Sequence, residues 1–210
     1  MIARRVNDRR TKRRMTALAL ALATAGAIVL SGCTANDSLA EQYREGTGQG
    51  YISGDGAYTV ITKADRSEPI EFDGLIESGE MVSSDDYRGD VLVVNFWYAG
   101  CPPCRLEAPD LEALSQRFAP DGVSFLGVNI YDQAATALSF AEEFGVTYPS
   151  ILDVNDGGAR LAFAGQVAPT AVPTTLVLDR EGRVAARIAG LVSEPSVLRS
   201  MISDVLAEAP

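Results

Sequence analysis

Cys101-Pro102-Pro103-Cys104 is the stretch of this chain whose residue types and spacing could do chemistry. It follows an apolar, β-branched run, Val91-Leu92-Val93-Val94-Asn95-Phe96-Trp97, and opens a stretch that reads as helix from Pro102 to Phe118. Two cysteines so spaced at a strand-to-helix junction can close a small disulfide ring. The first sulfur then sits at a helix N-terminus, where unpaired N–H groups and the macrodipole favour a thiolate. A free cysteine has a pKa of about 8.5, and sites of this kind lower it to roughly 3.5–7.5. The thiolate is the nucleophile, so the pattern points to thiol–disulfide exchange. The other use of such a pair is a structural clip at a helix start. A four-residue ring removes little unfolded-state entropy and stabilises poorly, which favours the redox use.

Composition removes several rival chemistries. The 210 residues include no histidine. That excludes histidine general bases, Ser-His-Asp triads and histidine-ligated zinc or copper. Position 105 is Arg, so the pair is not a haem-attachment CxxCH. Structural zinc takes four ligands, and only two thiols are on hand. No metal and no cofactor are expected beyond a redox-active Cys101–Cys104 disulfide.

The N-terminus reads as an export signal. Seven basic residues lie between Arg4 and Arg14, followed by an apolar run from Ala17 to Leu30. The run is short for a membrane span and has the length of a signal-peptide core. It ends in Leu30-Ser31-Gly32-Cys33, which resembles the lipobox of bacterial lipoproteins. On that reading residues 1–32 are a signal peptide and Cys33 is the lipidated first residue of the mature chain. An ordinary secretory signal or an uncleaved anchor is the alternative. Arg13-Arg14 is a weak twin-arginine candidate, and the general secretory route is preferred. The chain has three cysteines. One is assigned to lipid and two to the redox pair, leaving no spare thiol to reshuffle in an oxidising compartment. Without its first 32 residues the chain keeps 11 basic and 27 acidic side chains, a net of −16. So acidic a surface argues against nucleic acid as a partner.

The elements that must position the cysteines follow from pattern. Residues 33–56 are rich in Gly, Ser, Thr, Asn, Asp and Gln and read as a flexible tether. Residues 57–210 read as one domain. Tyr58–Ile61 is a candidate strand, and Ile70-Glu71-Phe72 begins another. Val82–Asp90 reads as a polar connector with one helical turn. Val91–Trp97 and Val123–Ile130 read as buried strands, with Pro102–Phe118 as the helix between them. Ala134–Phe144 is a helix ended by Gly145, and Asp156–Phe163 is a shorter helical candidate. Thr174–Leu178 and Val184–Ile188 form a hairpin around Arg180-Glu181-Gly182, and Glu194–Ala207 is the closing helix. A βαβ unit, a hairpin and a terminal helix make a mixed sheet covered by helices, an α/β fold.

The site residues carry a family resemblance. Asn95-Phe96-Trp97, Cys101-Pro102-Pro103-Cys104-Arg105 and Glu107-Ala108-Pro109 resemble the membrane-anchored, extracytoplasmic thioredoxin-like proteins of the TlpA/ResA type. Val172-Pro173-Thr174-Thr175 is similar to their cis-proline segment. The resemblance runs from about Phe72 to Leu206. It implies a thioredoxin fold, with a mixed central sheet flanked by helices and an N-terminal β extension. Cys101 is then the exposed thiol that attacks, and Cys104, one turn inward, resolves the mixed disulfide. Pro173 is cis by resemblance and packs opposite the pair, leaving the Val172 backbone to hydrogen-bond an extended substrate segment. The family places an acid at the position of Glu107. A partly buried carboxylate there has a raised pKa and disfavours a nearby thiolate, or shuttles a proton during exchange. Its alternative role is to complement the helix dipole. Trp97 either covers the active site, as a substrate-binding residue, or anchors the core. Arg105 either lowers the Cys101 pKa or lies solvated, and the second is preferred. Many relatives carry a second Trp just before the first cysteine; here that residue is Gly100, which leaves the rim barer.

The resemblance also implies a direction. The two prolines between the cysteines offer no charge, and Glu107 opposes the thiolate, so both features favour a reductant. A reductant outside the cytoplasm needs a feeder, which implies a membrane electron donor of the CcdA/DsbD type. The implied clients are protein disulfides, with the CxxCH of apocytochrome c in cytochrome c maturation foremost. The implied place is the extracytoplasmic face of the bacterial cell membrane. A general disulfide oxidase or isomerase for secreted proteins is the alternative. A peroxiredoxin-type peroxidase should show Thr where Tyr98 stands, and a copper chaperone of related fold wants CxxxC and a distant His.

Overall fold

The computed structural model describes residues 52–53, 57–168 and 170–208. The expected signal peptide, Cys33 and most of the expected tether lie outside the described residues. In chain order the elements are β1 (Ile52–Ser53), β2 (Ala57–Val60), β3 (Asp73–Leu75), β4 (Met81–Ser83), a 3-10 turn (Ser84–Tyr87), β5 (Val91–Trp97) and α1 (Pro102–Phe118). A second 3-10 turn (Ala119–Asp121) leads to β6 (Val123–Asn129), α2 (Ala134–Phe144), β7 (Ser150–Leu152), α3 (Gly158–Ala162), β8 (Thr174–Leu178), β9 (Val184–Ala189) and α4 (Pro195–Leu206).

Seven strands form one mixed sheet in the order β1-β2-β9-β8-β5-β6-β7. β5, β6 and β7 run parallel, while β8 pairs antiparallel with both β5 and β9. This is the mixed sheet flanked by helices that the sequence implies. β1 falls inside the stretch assigned to the tether and pairs with β2, which lies against β9. β3 and β4 form a separate two-stranded sheet. All seven residues of β5 are buried. A strand covered on both faces needs apolar side chains in both directions, which is why its sequence is a continuous run rather than an alternation. Val91 and Val93 pack in one cluster with Leu111, Leu114 and Phe118 of α1 and Leu198 and Ile202 of α4. Leu92, Val94 and Phe96 pack in another with Phe72, Ile76 and Phe163. The side of β5 facing α1 therefore also carries Asn95 and Trp97, the next residues of the same parity.

The structure moves some expected boundaries. Ile70–Phe72 is not the strand; Phe72 is a core side chain, and the hydrogen-bonded residues are those of β3, just after it. The polar connector contains β4 as well as its helical turn. The helical candidate at Asp156 starts at Gly158, because the buried Asp153 carboxylate accepts the Ala159 and Arg160 N–H groups at 2.7 and 3.3 Å and fixes the first turn there. Pattern gave no sign of β7, which has only three residues.

Two glycines let the layers close beside the cysteine-bearing helix. A Cβ on Gly127 of β6 would stand 2.1 Å from the Ser150 Oγ and 2.8 Å from the Trp97 Nε1. A Cβ on Gly74 of β3 would stand 2.4 Å from the Ile151 Cγ2, at the place where Ile76 bridges to Ile151 and docks the small sheet on β7. Overpacking a filled interior costs about 1–3 kcal/mol. Gly127→Ala should lower the unfolding free energy by at least that amount in urea titration. It should also shift the fluorescence of Trp97, the chain's single tryptophan.

Candidate active site

The β5–α1 junction brings the two cysteines together. Cys101 is the N-cap of α1, with Pro102 following at the first helical position, where a missing N–H costs nothing. Its Sγ accepts the Cys104 N–H at 3.2 Å, and its carbonyl accepts the Arg105 N–H at 3.2 Å. The two sulfurs form a disulfide across a Cα–Cα distance of 5.3 Å. The Cys101 sulfur is thus held where the helix N-terminus stabilises negative charge.

Cys101 is not exposed as expected. Both cysteines are 2% accessible. They belong to an apolar cluster with Trp97, Ala108, Ala137 and Phe140, against which Val172 packs. The difference between the two cysteines therefore lies in position along the helix, not in exposure. Val172-Pro173 is a cis peptide bond, as the resemblance implies. The Pro173 carbonyl accepts the Gly190 N–H at 2.9 Å, which ties the segment to the loop after β9.

Glu107 faces inward one turn beyond Cys104 and is 1% accessible. Asn95 Nδ2 donates to its Oε1 at 2.9 Å, and the Val192 N–H donates to its Oε2 at 2.9 Å. Burial pushes its pKa from 4.5 up to about 7, against the lowering effect of those two donors. Asn95 Nδ2 also donates to the Thr175 Oγ1 at 3.0 Å, so β5, β8, α1 and the loop after β9 meet at this carboxyl.

Trp97 shares the buried cluster of the pair. It is 5% accessible, stacks on Phe140 with ring centres 4.3 Å apart, and donates its indole N–H to the Ser150 Oγ at 3.2 Å. This packing beside the two cysteines fits the core-anchor role of the two given above. Arg105 does not partner Cys101; its side chain is 41% accessible, as the preferred reading has it. It pairs with Glu143 at 2.6 Å, and its guanidinium lies 4.8 Å from the centre of the Phe144 ring, so it joins α1 to α2. At the rim, Tyr98 meets Tyr131 edge-on at 5.0 Å, and a Cβ on Gly100 would stand 3.2 Å from the Tyr98 ring.

Several site residues were not singled out from sequence. Asp132 accepts the Ala99 N–H at 2.6 Å and the Asn129 amide at 2.9 Å, holding the loop that leads to Cys101. Asn95 and Val192 hold Glu107, and Thr175 holds Asn95. Asn95 left a legible signal, since it is the one polar residue in an otherwise apolar strand. Asp132 and Val192 left none, because a side chain that holds a backbone and a backbone that holds a side chain are set by tertiary contact.

Comparison with known proteins agrees with this geometry. Residues 63–202 match the Redoxin family. The chain is 34% identical over 118 residues to the thiol-disulfide oxidoreductase ResA of Geobacillus kaustophilus, an alignment covering 56% of this chain and 65% of that protein. It is 38% identical over 138 residues to the thiol:disulfide interchange protein HelX of Rhodobacter capsulatus, covering 66% of this chain and 73% of that one. The solved structure of a secreted thiol-disulfide isomerase from Corynebacterium glutamicum superposes with a TM-score of 0.66 at 28% identity, covering 77% of this chain and 99% of the other.

The buried carboxyl makes stability depend on pH. The folded protein keeps the Glu107 proton up to about pH 7, whereas the ordinary value is 4.5. Between those values the native state binds more protons than the unfolded one, so stability falls as the pH rises. The change is worth about 3 kcal/mol across that window. Urea titration of the oxidised protein should show this fall, and Glu107→Gln should abolish it. Below about pH 4.5 the variant should be about 1–3 kcal/mol less stable than the parent, because one amide oxygen cannot serve both N–H donors, and that gap should close as the pH rises to about 7.

Proposed function

Because the chain belongs to the Redoxin family, we propose that it is a thiol–disulfide oxidoreductase acting outside the cytoplasm, and that it reduces disulfides in client proteins. One observation carries this reading: a closed Cys101–Cys104 disulfide at the N-terminus of α1, with the cis Val172-Pro173 segment packed against it. Cys101 attacks a client disulfide as a thiolate held at the helix end. Cys104 then attacks Cys101 and releases the reduced client. The Val172 backbone pairs with the extended client segment, and Pro173 keeps that edge in place.

Glu107 is the acid that sets direction. When ionised it lies within the same packed interior as the cysteines and opposes a thiolate there. The two prolines between the cysteines add no charge to counter it. A reductant of this kind needs electrons from a membrane donor of the CcdA/DsbD type. The client proposed is apocytochrome c with its CxxCH oxidised, in line with the ResA and HelX relatives. Lipid on Cys33 would keep the protein at the extracytoplasmic face of the membrane. Among the described residues no helix is long and apolar enough to cross a membrane.

Three measurements test these assignments. The couple should have a potential nearer that of thioredoxin, about −270 mV, than that of DsbA, about −120 mV; a value near the latter would make the protein an oxidative folding catalyst. Cys104→Ala should trap a mixed disulfide with a client and Cys101→Ala none, and the reverse pattern would exchange the two roles. Cys33→Ala should release the protein from membranes or block signal cleavage, and unchanged fractionation and processing would remove the lipid anchor.

A further inference from the structure

A small cavity reaches Cys104 from the side of the sheet edge. Its lining includes Glu77, Asn95, Trp97, Cys104, Tyr148 and Ser150. About 10 Å³ is open to the centre of a water molecule, which is room for about one water. Such a water needs two to four polar partners; Glu77, Asn95, Tyr148 and Ser150 offer polar atoms in a wall that is otherwise mainly apolar.

The cavity answers a need of the exchange reaction. Cys104 is 2% accessible, so the proton on its thiol has no direct way to bulk solvent. Glu107 does not line the cavity. Asn95 does, and it holds one Glu107 oxygen while the Val192 N–H holds the other. Tyr148 is no acceptor either. Burial first, then the charges of Glu107 and Glu112, push its phenol far above the ordinary value, and it keeps its proton. Glu77 remains. It is half-buried, and its Oε2 accepts the Ser150 N–H at 2.7 Å. The hairpin of β3 and β4 holds it there through the close approach of Gly74 to Ile151 and the Ile76 bridge.

We propose that Glu77 is the proton acceptor for Cys104, through one water in this cavity, when the mixed disulfide is resolved. The proposal rests on the thiol–disulfide reading given above. The Cys104 thiol gives its proton to the water, which passes one on to the Glu77 carboxylate. The Cys104 thiolate attacks the Cys101 Sγ. The Cys101–Cys104 bond forms, and the bond from Cys101 to the client sulfur breaks. The client sulfur leaves with the electron pair as a thiolate and takes a proton from solvent. Two electrons have then passed from the cysteine pair to the client disulfide, and Glu77 returns its proton to solvent at the protein surface. Glu107 keeps its separate part as a buried charge.

The test uses the reduced full-length protein and an aromatic disulfide whose two thiols absorb on release. Attack by Cys101 releases the first thiol and attack by Cys104 the second, so the two steps are read apart. Glu77→Gln retains an oxygen for the Ser150 N–H. It should leave the first release within about twofold of the parent and slow the second by roughly a hundredfold, the low end of what a positioned proton acceptor supplies. In Glu77→Ala, added formate should restore the second release. An unaltered second release in Glu77→Gln would overturn the proposal. So would a slowed one in Glu77→Ala that formate does not rescue, since that marks a structural role. Failure of the redox reading looks different: the parent protein would release no second thiol at all.

Discussion

A carboxyl group sealed in the core, held by two neutral N–H donors and, among the described residues, by no cation, is the constraint around which the structure is arranged. The Glu107 side chain comes from α1, its Asn95 partner from β5 and its Val192 partner from the loop after β9. Asn95 is steadied in turn by Thr175 of β8, the strand that continues from the cis-proline segment. Each of these groups would be costly to bury alone. Together they fix how the cysteine-bearing helix lies on the centre of the sheet. The donors are too few to offset the desolvation, so the acid titrates near neutrality, where it can influence thiol chemistry.

Much of this could be read from the residues. Val91–Trp97, Pro102–Phe118, Ala134–Phe144 and Thr174–Leu178 have the bounds that pattern assigns, because continuous burial, a proline at a helix start and a glycine at a helix end are strong local signals. Gly145 adopts a φ of 71°, the left-handed conformation that stops α2. The Cys101–Cys104 pair closes as a disulfide, the Val172-Pro173 bond is cis, and Val172 packs against the cluster that holds the pair. The burial of Cys101 is not legible in the motif, because a motif gives spacing along the chain, not what the far side of the fold lays over it. The hairpin of β3 and β4 was missed for a related reason. Its strands have three residues each, and only its contact with β7 gives Glu77 a purpose.

The rest of the domain isolates this site from the charged surface. A buried cluster closes the opposite end of the sheet. Arg66 pairs with Asp179 at 2.9 Å and with Glu208, and Arg183 joins Asp179 at 2.9 Å. The Asp179 carboxyl is lowered below its ordinary value by these hydrogen bonds, chiefly from the Arg183 backbone and Arg66, which outweigh its burial. Arg180 adds bonds to the Leu206 and Glu208 carbonyls. These contacts pin the end of α4 to the turn between β8 and β9. The charges at this end are thus held in a paired network, whereas the Glu107 carboxyl at the other end meets neutral N–H donors.

The shortness of the cysteine loop has a thermodynamic consequence. The two cysteines are three residues apart, so the ring scarcely restricts the unfolded chain. In a cycle that joins oxidation to folding, the gap in folding free energy between the disulfide and dithiol forms equals the displacement of the couple's potential from that of the same tetrapeptide in an unstructured chain. With the loop-entropy contribution small, that gap belongs almost wholly to the folded environment: the helix end, the packed sulfurs and the carboxyl beside them. Each 30 mV of displacement corresponds to about 1.4 kcal/mol. The redox character of this protein is therefore a conformational stability difference, written into the fold rather than into the four residues that carry it.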